Sequence, residues 1–269
     1  MLLSSLLLLS STAGAAESKF ESATSTPSAE IETSKFDIAF GGMWSAGNTE
    51  SATLSASYDA HHRWAHHQLS SKGGVIFGSA VPDTDGDGRL SEDEKAAGRV
   101  ETASRKEGWL RYDRHLGSKD SFYSSAGGYS DIYAGYDSRL NAQLGYSYRF
   151  LEAPEKKGPA LTGELGFDAA REDAVAAVDT VEMVYSARAL VRFAMDLEAG
   201  FAVGQELESL MNMEAPEDTR VISETSMTAK LTEGLALKFS YKLNYDSLPV
   251  EGYSKADQTG LVTVVTSVF

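Results

Sequence analysis

The stretch Leu140-Asn-Ala-Gln-Leu-Gly-Tyr-Ser-Tyr-Arg-Phe150 alternates apolar and polar side chains with a period of two. Successive side chains of a strand point to opposite faces, so this pattern predicts a β-strand with one apolar and one polar face. The same alternation recurs in about twelve runs, near residues 36–45, 51–64, 66–78, 99–114, 119–130, 137–150, 159–171, 181–195, 197–208, 218–231, 234–246 and 257–269. The sequence therefore predicts an all-β protein.

Two all-β architectures produce alternating strands, and the connections between the runs discriminate between them. A soluble sandwich would bury the apolar faces against each other and leave the charges outside. A barrel in an outer membrane has short periplasmic turns and longer outer loops, and here long connections such as 79–98 and 247–256 alternate with short ones such as 63–66 and 232–234. An alternating strand also ends the sequence at Phe269, which resembles the terminal signal of outer-membrane barrels. We predict an antiparallel transmembrane β-barrel of about 12 strands with one EF-hand-like loop insertion.

The N-terminal segment indicates export. Residues 1–16 combine a short apolar run with small residues suited to cleavage and are predicted to be a signal peptide. Residues 17–35 are rich in Ser, Thr, Glu and Ala and predict a disordered periplasmic linker. The barrel then occupies 36–269, with a calcium-binding loop insertion at 79–98. A barrel with an even number of strands places both termini in the periplasm and that loop on the outer face.

Composition removes several partner classes. The 39 acidic and 24 basic residues give a formal charge of −15, which repels nucleic acid. No apolar run after the signal peptide reaches about 18 residues, the length that predicts a transmembrane helix. The sequence has no cysteine, which excludes a disulfide framework and a lipid anchor on cysteine.

The run 83–94, Asp-Thr-Asp-Gly-Asp-Gly-Arg-Leu-Ser-Glu-Asp-Glu, has the spacing of an EF-hand calcium loop. Calcium takes six to eight oxygens at about 2.3–2.6 Å, which these loops present at positions 1, 3, 5, 7, 9 and 12. The predicted ligands are Asp83, Asp85, Asp87, the carbonyl of Arg89, Ser91 and Glu94. Gly88 stands where the loop must turn sharply. A solvated acidic loop is the alternative.

The motif lacks part of a full EF-hand. The segment 77–82 before it is not a helix, and only 92–98 can form a short exit helix. Without a second copy, we expect affinity in the range of extracellular modules, a dissociation constant of about 10⁻⁴–10⁻³ M.

Two short segments carry a family resemblance. Gly41-Gly-Met-Trp-Ser-Ala-Gly-Asn-Thr-Glu50 resembles a small-residue Ser-Gly-Asn-Thr turn, and a Pro, Gly, Lys-x-Asp order follows near the C-terminus at Asn244, Pro249, Gly252, Lys255, Asp257 and Thr259. Over about 36–269 the chain resembles the YdiY-like family of salt-stress-induced outer-membrane proteins, a domain of unknown function. The resemblance implies the outer membrane of a Gram-negative bacterium, with membrane lipid as a partner. Lipopolysaccharide is a further candidate partner, through the calcium loop on the outer face. The calcium loop is not associated with the family and reads as an insertion.

Two further groups of side chains are candidates for function. Four of the five histidines lie in 61–67, where a transition-metal site competes with a polar turn. The predicted inward faces carry both charges, which would either line a narrow pore or close the lumen with ion pairs. The positive group is Arg139, Arg149, Arg188, Arg192, Arg220, Lys230, Lys238 and Lys242, and the negative group is Glu164, Asp168, Glu182, Glu198, Glu206 and Glu224.

Three functions follow from these features. The leading hypothesis is a non-enzymatic barrel that binds calcium through its outer loop, which calcium would order or tether to lipopolysaccharide phosphates. The alternative is a narrow channel for small solutes. A third is a calcium-dependent outer-membrane lipid hydrolase, but all five histidines, including His115, map to the short-turn side and no Gly-x-Ser-x-Gly run occurs.

Overall fold

The protein is a closed barrel of twelve antiparallel strands in a computed structural model. The structure describes residues 33–47, 49–85, 87, 89–152, 158–175, 181–197, 200–232, 234–249 and 252–267. The strands are β1 (Thr33–Ser45), β2 (Ser51–Trp64), β3 (His67–Ala80), β4 (Val100–His115), β5 (Asp120–Asp131), β6 (Tyr136–Leu151), β7 (Gly158–Ala174), β8 (Val181–Asp196), β9 (Phe201–Asn212), β10 (Thr219–Thr232), β11 (Leu235–Asp246) and β12 (Ala256–Ser267). The predicted fold class is confirmed.

Each strand pairs with its neighbours in sequence, and β12 returns to β1. Within the described residues, the β1–β12 seam holds five pairs, from Asp37↔Ser267 to Gly41↔Thr263, whereas β1 and β2 pair from Thr33↔Arg63 to Ser45↔Ser51. The predicted strands match the observed ones to within two residues except in β1, β7 and β9. β7 ends at Ala174 rather than near 171, and β9 ends at Asn212 rather than near 208. β1 begins at Thr33, so part of the segment assigned to the linker lies in the sheet. β9 begins only at Phe201, because Leu197 donates its backbone N–H to the Phe201 carbonyl and Gly200 turns with φ 80°.

Burial is inverted relative to a soluble protein. Large apolar side chains point outward, as with Leu144 at 62% and Leu165 at 70% exposure, while Arg111 at 2% and Asp168 at 0% lie inside. An apolar surface of this extent is not stable in water, and a closed ladder of strands leaves no edge unpaired in lipid. The chain is therefore a membrane barrel, and the soluble sandwich is excluded.

The two ends of the barrel differ in the length of their connections. One end carries the connections 46–50, 81–99, 132–135, 175–180, 213–218 and 247–255. The other end carries the start of β1, the end of β12 and the short turns 65–66, 116–119, 152–157, 197–200 and 233–234. The connection 81–99 contains the short helix α1 (Glu92–Ala97), which is the predicted exit helix, and 132–134 forms a single 3-10 turn. Among the described residues, no helix is long and apolar enough to cross a membrane.

Some predictions lie outside the described residues. The signal peptide at 1–16, most of the linker at 17–35, Gly88 of the calcium loop and the terminal Phe269 are among them.

The inverted burial generates a depth-dependent prediction. Leu144→Arg places a charge near the middle of β6 on its outer face, and we expect it to destabilise the folded barrel in lipid vesicles by about 2–4 kcal/mol. Leu151→Arg, the same change at the end of that strand, should cost about 0–1 kcal/mol. The measurement is equilibrium unfolding in denaturant. Equal costs at the two positions would contradict a lipid-facing belt centred on Leu144.

Candidate functional site

A network of buried ion pairs fills one half of the lumen, and Arg111 begins it. On β4 its guanidinium donates to Asp113, with Nη2 to Oδ1 at 2.7 Å, and reaches across to Glu164 on β7, with Nη2 to Oε1 at 2.9 Å. All three side chains are buried. Arginine presents a planar fork of donors, so one guanidinium serves two carboxylates at once.

Arg188 on β8 continues the network from the other side of Glu164. It donates to Glu164 at 2.8 Å, to Glu208 on β9 at 2.6 Å and to the hydroxyl of Tyr123 on β5 at 2.6 Å. The Tyr123 ring also stacks under Arg111, whose guanidinium carbon lies 4.2 Å from the ring centroid. The network therefore links non-adjacent strands through the lumen.

A second layer lies toward the long-loop end. Asn141 and Gln143 donate side-chain amides to Asp168 at 3.0 and 2.9 Å, which satisfies that buried carboxylate. Arg139 and Arg220 both pair with Glu172 of β7. Arg220 adds two more contacts, to Asp246 of β11 at 2.9 Å and to the hydroxyl of Tyr136 at 3.1 Å.

Most of the inward charges were predicted, but the centre of the network was missed. Arg139, Arg149, Arg188, Arg192, Arg220, Glu164, Asp168 and Glu206 lie in the lumen as predicted, and Glu182 is exposed at the barrel rim. Glu198 lies outside the described residues. The missed residues are Arg111, Asp113, Glu172 and Glu208. On β4 the buried Trp109 lies on the same inward face as Arg111 and Asp113 and interrupts the alternation of polar and apolar residues there. Glu172 and Glu208 were detectable from alternation alone.

The other half of the lumen is open. A cavity of about 150 Å³ lies against β1–β4 and β10–β12. Its wall includes small side chains from the seam, Ala39 and Val265, which leave space that arginines occupy elsewhere. Charged side chains of both signs line it: Asp37, Asp59, Glu107 and Glu224, with Lys72, Lys238 and Lys242.

The connection 247–255 narrows the mouth at the long-loop end. Its Tyr253 donates its hydroxyl to the carbonyl of Ile132 at 3.2 Å and packs its ring against Gly135. The connection 132–135 lies on the opposite side of the strand ring from β11 and β12. This contact ties two opposite walls together across the opening.

The predicted calcium loop brings three of its ligands together. One carboxylate oxygen each from Asp83, Asp85 and Asp87 lie within 4.8 Å of one another and are exposed. The Arg89 N–H donates to Asp87 Oδ1 at 2.8 Å, which holds that carboxylate against the loop backbone. Such a group of oxygens is the donor set that calcium prefers.

Ser91 and Glu94 hold the end of the loop. Ser91 caps α1 and exchanges hydrogen bonds with Glu94 in a capping box, and the other Glu94 oxygen accepts from Thr84 N–H at 2.6 Å and from its hydroxyl at 2.8 Å. Backbone and side-chain donors of Ser91 and Thr84 lower the pKa of Glu94 to about 2. Glu94 is therefore ionised at neutral pH and closes the loop onto its own start. The structure does not place its carboxylate in the aspartate group.

A family model described as "Protein of unknown function, DUF481" matches residues 38–268. The chain belongs to the DUF481 family. A curated relative, "Uncharacterized protein YdiY" of Escherichia coli strain K12, is 26% identical over 211 residues, which cover 77% of this chain and 71% of that protein. The resemblance inferred from the turn and C-terminal motifs is thereby confirmed at the level of the family.

Solved barrels resemble this DUF481 chain in fold. The NanC porin matches with a TM-score of 0.48 and 8% identity, covering 87% of this chain and 100% of that one. The KdgM porin, in complex with disordered oligogalacturonate, matches with a TM-score of 0.42 and 11% identity over 88% and 99% of the two chains. An outer membrane channel from Pseudomonas putida F1 gives 0.44 and 13% over 87% and 95%. Similarity at this level carries no information about a solute.

The histidines of this DUF481 barrel do not converge on a metal. On the outer face His62, Trp64 and His67 stack in succession, with centroids 5.2 and 5.6 Å apart, and His67 Nδ1 lies 2.5 Å from the Tyr112 hydroxyl. In the described part of the chain, no histidine belongs to a group of three candidate ligands. The stack forms an aromatic belt at the short-turn end.

One serine and one histidine do meet, as a hydrolase requires. Ser34 Oγ lies 2.9 Å from His62 Nδ1 at the short-turn end. The acidic loop is at the other end of the barrel, beyond β2, whose 14 residues span up to about 45 Å at roughly 3.3 Å per residue. A calcium ion in that loop would therefore be remote from this pair.

The buried network generates a stability prediction with a matched control. Glu164→Leu leaves Arg111 and Arg188 without their shared carboxylate, so we expect a loss of about 3–5 kcal/mol in folding free energy. Glu224→Leu makes the same change at a lumenal glutamate with no side-chain hydrogen bond or ion pair to a described residue. It should alter stability by about 0.5 kcal/mol or less. Denaturant unfolding in vesicles measures both, and similar losses would show that the network is not what distinguishes Glu164.

Proposed function

We propose that this protein is a narrow, non-enzymatic channel for small hydrophilic solutes in the outer membrane. The observation that carries the proposal is the divided lumen, in which a charged cavity of about 150 Å³ lies beside a wall of ion pairs. In a barrel whose lumen is closed throughout, ion pairs or packed side chains would fill both halves, whereas here one half is open and lined by charged side chains. Barrels of eight strands are filled by side chains, and barrels of sixteen strands enclose a channel. In a barrel of twelve strands, the lumenal side chains therefore determine whether a passage stays open.

The side chains set a small upper limit on the solute. The Arg111–Glu164 pair bridges the non-adjacent strands β4 and β7, and Arg188 on β8 reaches the hydroxyl of Tyr123 on β5. These contacts remove that cross-section from the passage. Tyr253 crosses the opening at the long-loop end. Passage is therefore confined to the open half of the lumen, along β1–β4 and β10–β12.

The proposed orientation follows from the even number of strands and from the unequal connections. Long connections lie outside and short turns lie in the periplasm in barrels of this kind. This orientation puts both termini in the periplasm and the acidic loop in the medium, facing lipopolysaccharide.

A second proposed activity is calcium binding at the outer loop. Three carboxylates within 4.8 Å and a helix cap at Ser91 support it. Calcium would reduce the repulsion among Asp83, Asp85 and Asp87 and would recruit the Arg89 carbonyl, Ser91 and Glu94. The ordered loop could then bridge to lipopolysaccharide phosphates through the same ion.

The channel proposal is tested by conductance in planar bilayers. We expect discrete current steps for the purified protein, and larger steps for Arg111→Ala/Glu164→Ala, because the variant removes one bridge across the lumen and keeps the net charge. Glu92→Ala/Lys95→Ala is the matched control, since it removes an ion pair of 3.2 Å on α1, outside the lumen. A protein that inserts without conducting would refute the channel.

The calcium proposal is tested by titration calorimetry of the refolded protein in detergent. We expect one calcium per chain with a dissociation constant of about 10⁻⁴–10⁻³ M, lost in Asp83→Ala/Asp85→Ala. Asp93→Ala serves as the control, because Asp93 lies in the first turn of α1 and is not a predicted ligand. Absence of binding heat at several times the upper concentration would reduce the loop to a solvated acidic insertion.

A further inference from the structure

The lumenal cavity contains more charge than its own ion pairs neutralise. Three of its acidic side chains have basic partners: Asp59 lies 2.6 Å from Lys72, Asp37 lies 2.5 Å from Lys35, and Glu107 lies 2.7 Å from Arg105. Lys238 is also engaged by a neighbouring residue. Most of the charged wall is therefore satisfied by the protein itself.

Glu224 and Lys242 are different. They are register partners on β10 and β11, and both line the cavity. Although they face each other across neighbouring strands, they form no ion pair, and neither makes a side-chain hydrogen bond to any residue in the described part of the chain. The cavity thus presents one carboxylate and one ammonium group side by side.

We propose that this cavity is a binding site for a small zwitterion of the size and charge pattern of a free amino acid. The solute's carboxylate pairs with Lys242, and its ammonium group pairs with Glu224. A cavity of 150 Å³ is known to accept about six heavy atoms, as when an engineered one of that size binds benzene. Alanine has that size and therefore fits this cavity, which is open to the rest of the lumen.

A site of this kind discriminates by charge arrangement. A solute with only a negative charge is attracted to Lys242 but repelled by Glu224. A solute with only a positive charge is attracted to Glu224 but repelled by Lys242. Only a solute with both charges satisfies both side chains without disturbing the ion pairs around them. The inference deepens the proposed channel by naming the class of solute that occupies it.

Trp109 supplies a reporter for binding. It lines the same cavity, and the only other tryptophans of the sequence are Trp44 and Trp64. In Trp44→Phe/Trp64→Phe, all tryptophan emission therefore comes from the cavity wall. We expect a saturable change in this emission when the refolded protein in detergent is titrated with alanine. Acetate and methylammonium, which each carry one of the two charges, should give no saturable change.

Charge variants in this reporter background test the assigned contacts. Glu224→Gln and Lys242→Met each remove one charge. We expect each variant to bind alanine with an affinity reduced by about tenfold or more, the effect of losing roughly one charge-assisted contact. Glu224→Lys/Lys242→Glu exchanges the two charges and should restore most of the affinity, because the zwitterion can bind reversed. Far-UV circular dichroism verifies that each variant is folded.

Three outcomes would overturn the inference: no saturable response to alanine in a folded protein, equal responses to acetate and alanine, or a folded exchange variant that stays as weak as the single variants. The titration needs no conductance. A barrel that conducts but does not bind alanine would therefore refute this site and leave the channel intact, and binding without current would do the opposite.

Discussion

In a membrane, the backbone of this chain has to pair all of its N–H and C=O groups internally, and the return of β12 to β1 is where that requirement is hardest to meet. Every other pair of strands is joined by a direct connection that fixes its register. The seam has no such connection and holds five pairs among the described residues. Gly41 permits it, since a Cβ there would lie 2.6 Å from Ser55 Oγ and 2.8 Å from the Val262 carbonyl. Closure thus depends on one close approach of backbone to backbone.

Closure in lipid then determines what the interior can be. The outer face takes the apolar side chains, so the lumen receives the charged ones, and Glu164, Glu208 and Asp168 become almost fully buried. Burying an ion pair costs desolvation, and the attraction between the charges repays it only when the geometry is good. Here Glu164 accepts from Arg111 and Arg188, Asp168 accepts from Asn141 and Gln143, and Glu208 accepts from Arg188 Nε at 2.6 Å. Such a network adds little net stability. Its main effect is to fix one relative arrangement of strands that are not hydrogen-bonded neighbours in the sheet.

Particular residues show what the sequence could reveal. The unbroken alternation of β6 predicts its bounds to within one residue, because a period of two assigns every side chain to a face. On β4 Trp109 lies on the inward face that is otherwise polar, which interrupts the alternation. For this reason the pattern does not identify Arg111 and Asp113 as lumenal. Partners such as Arg111 and Glu164, 53 residues apart, are not predictable because alternation gives the face and not the height within the barrel. The contacts of the acidic loop are local, so the sequence predicts the short exit helix at 92–98 that the structure shows as α1, whereas the capping role of Ser91 was not predicted.

The position of the cavity follows from the position of the seam. Lumenal side chains on the two seam strands include small ones, with Ala39 opposite Val265 and Gly41 opposite Thr263, whereas the arginines of the buried network lie on β4, β6, β8 and β10. Long charged side chains need partners on both sides, which a wall of five pairs and close backbones does not offer. The open half of the lumen therefore lies beside the least connected part of the sheet. The same division keeps the ion-pair network of Arg111, Arg188 and Glu164 in the half of the barrel away from the seam.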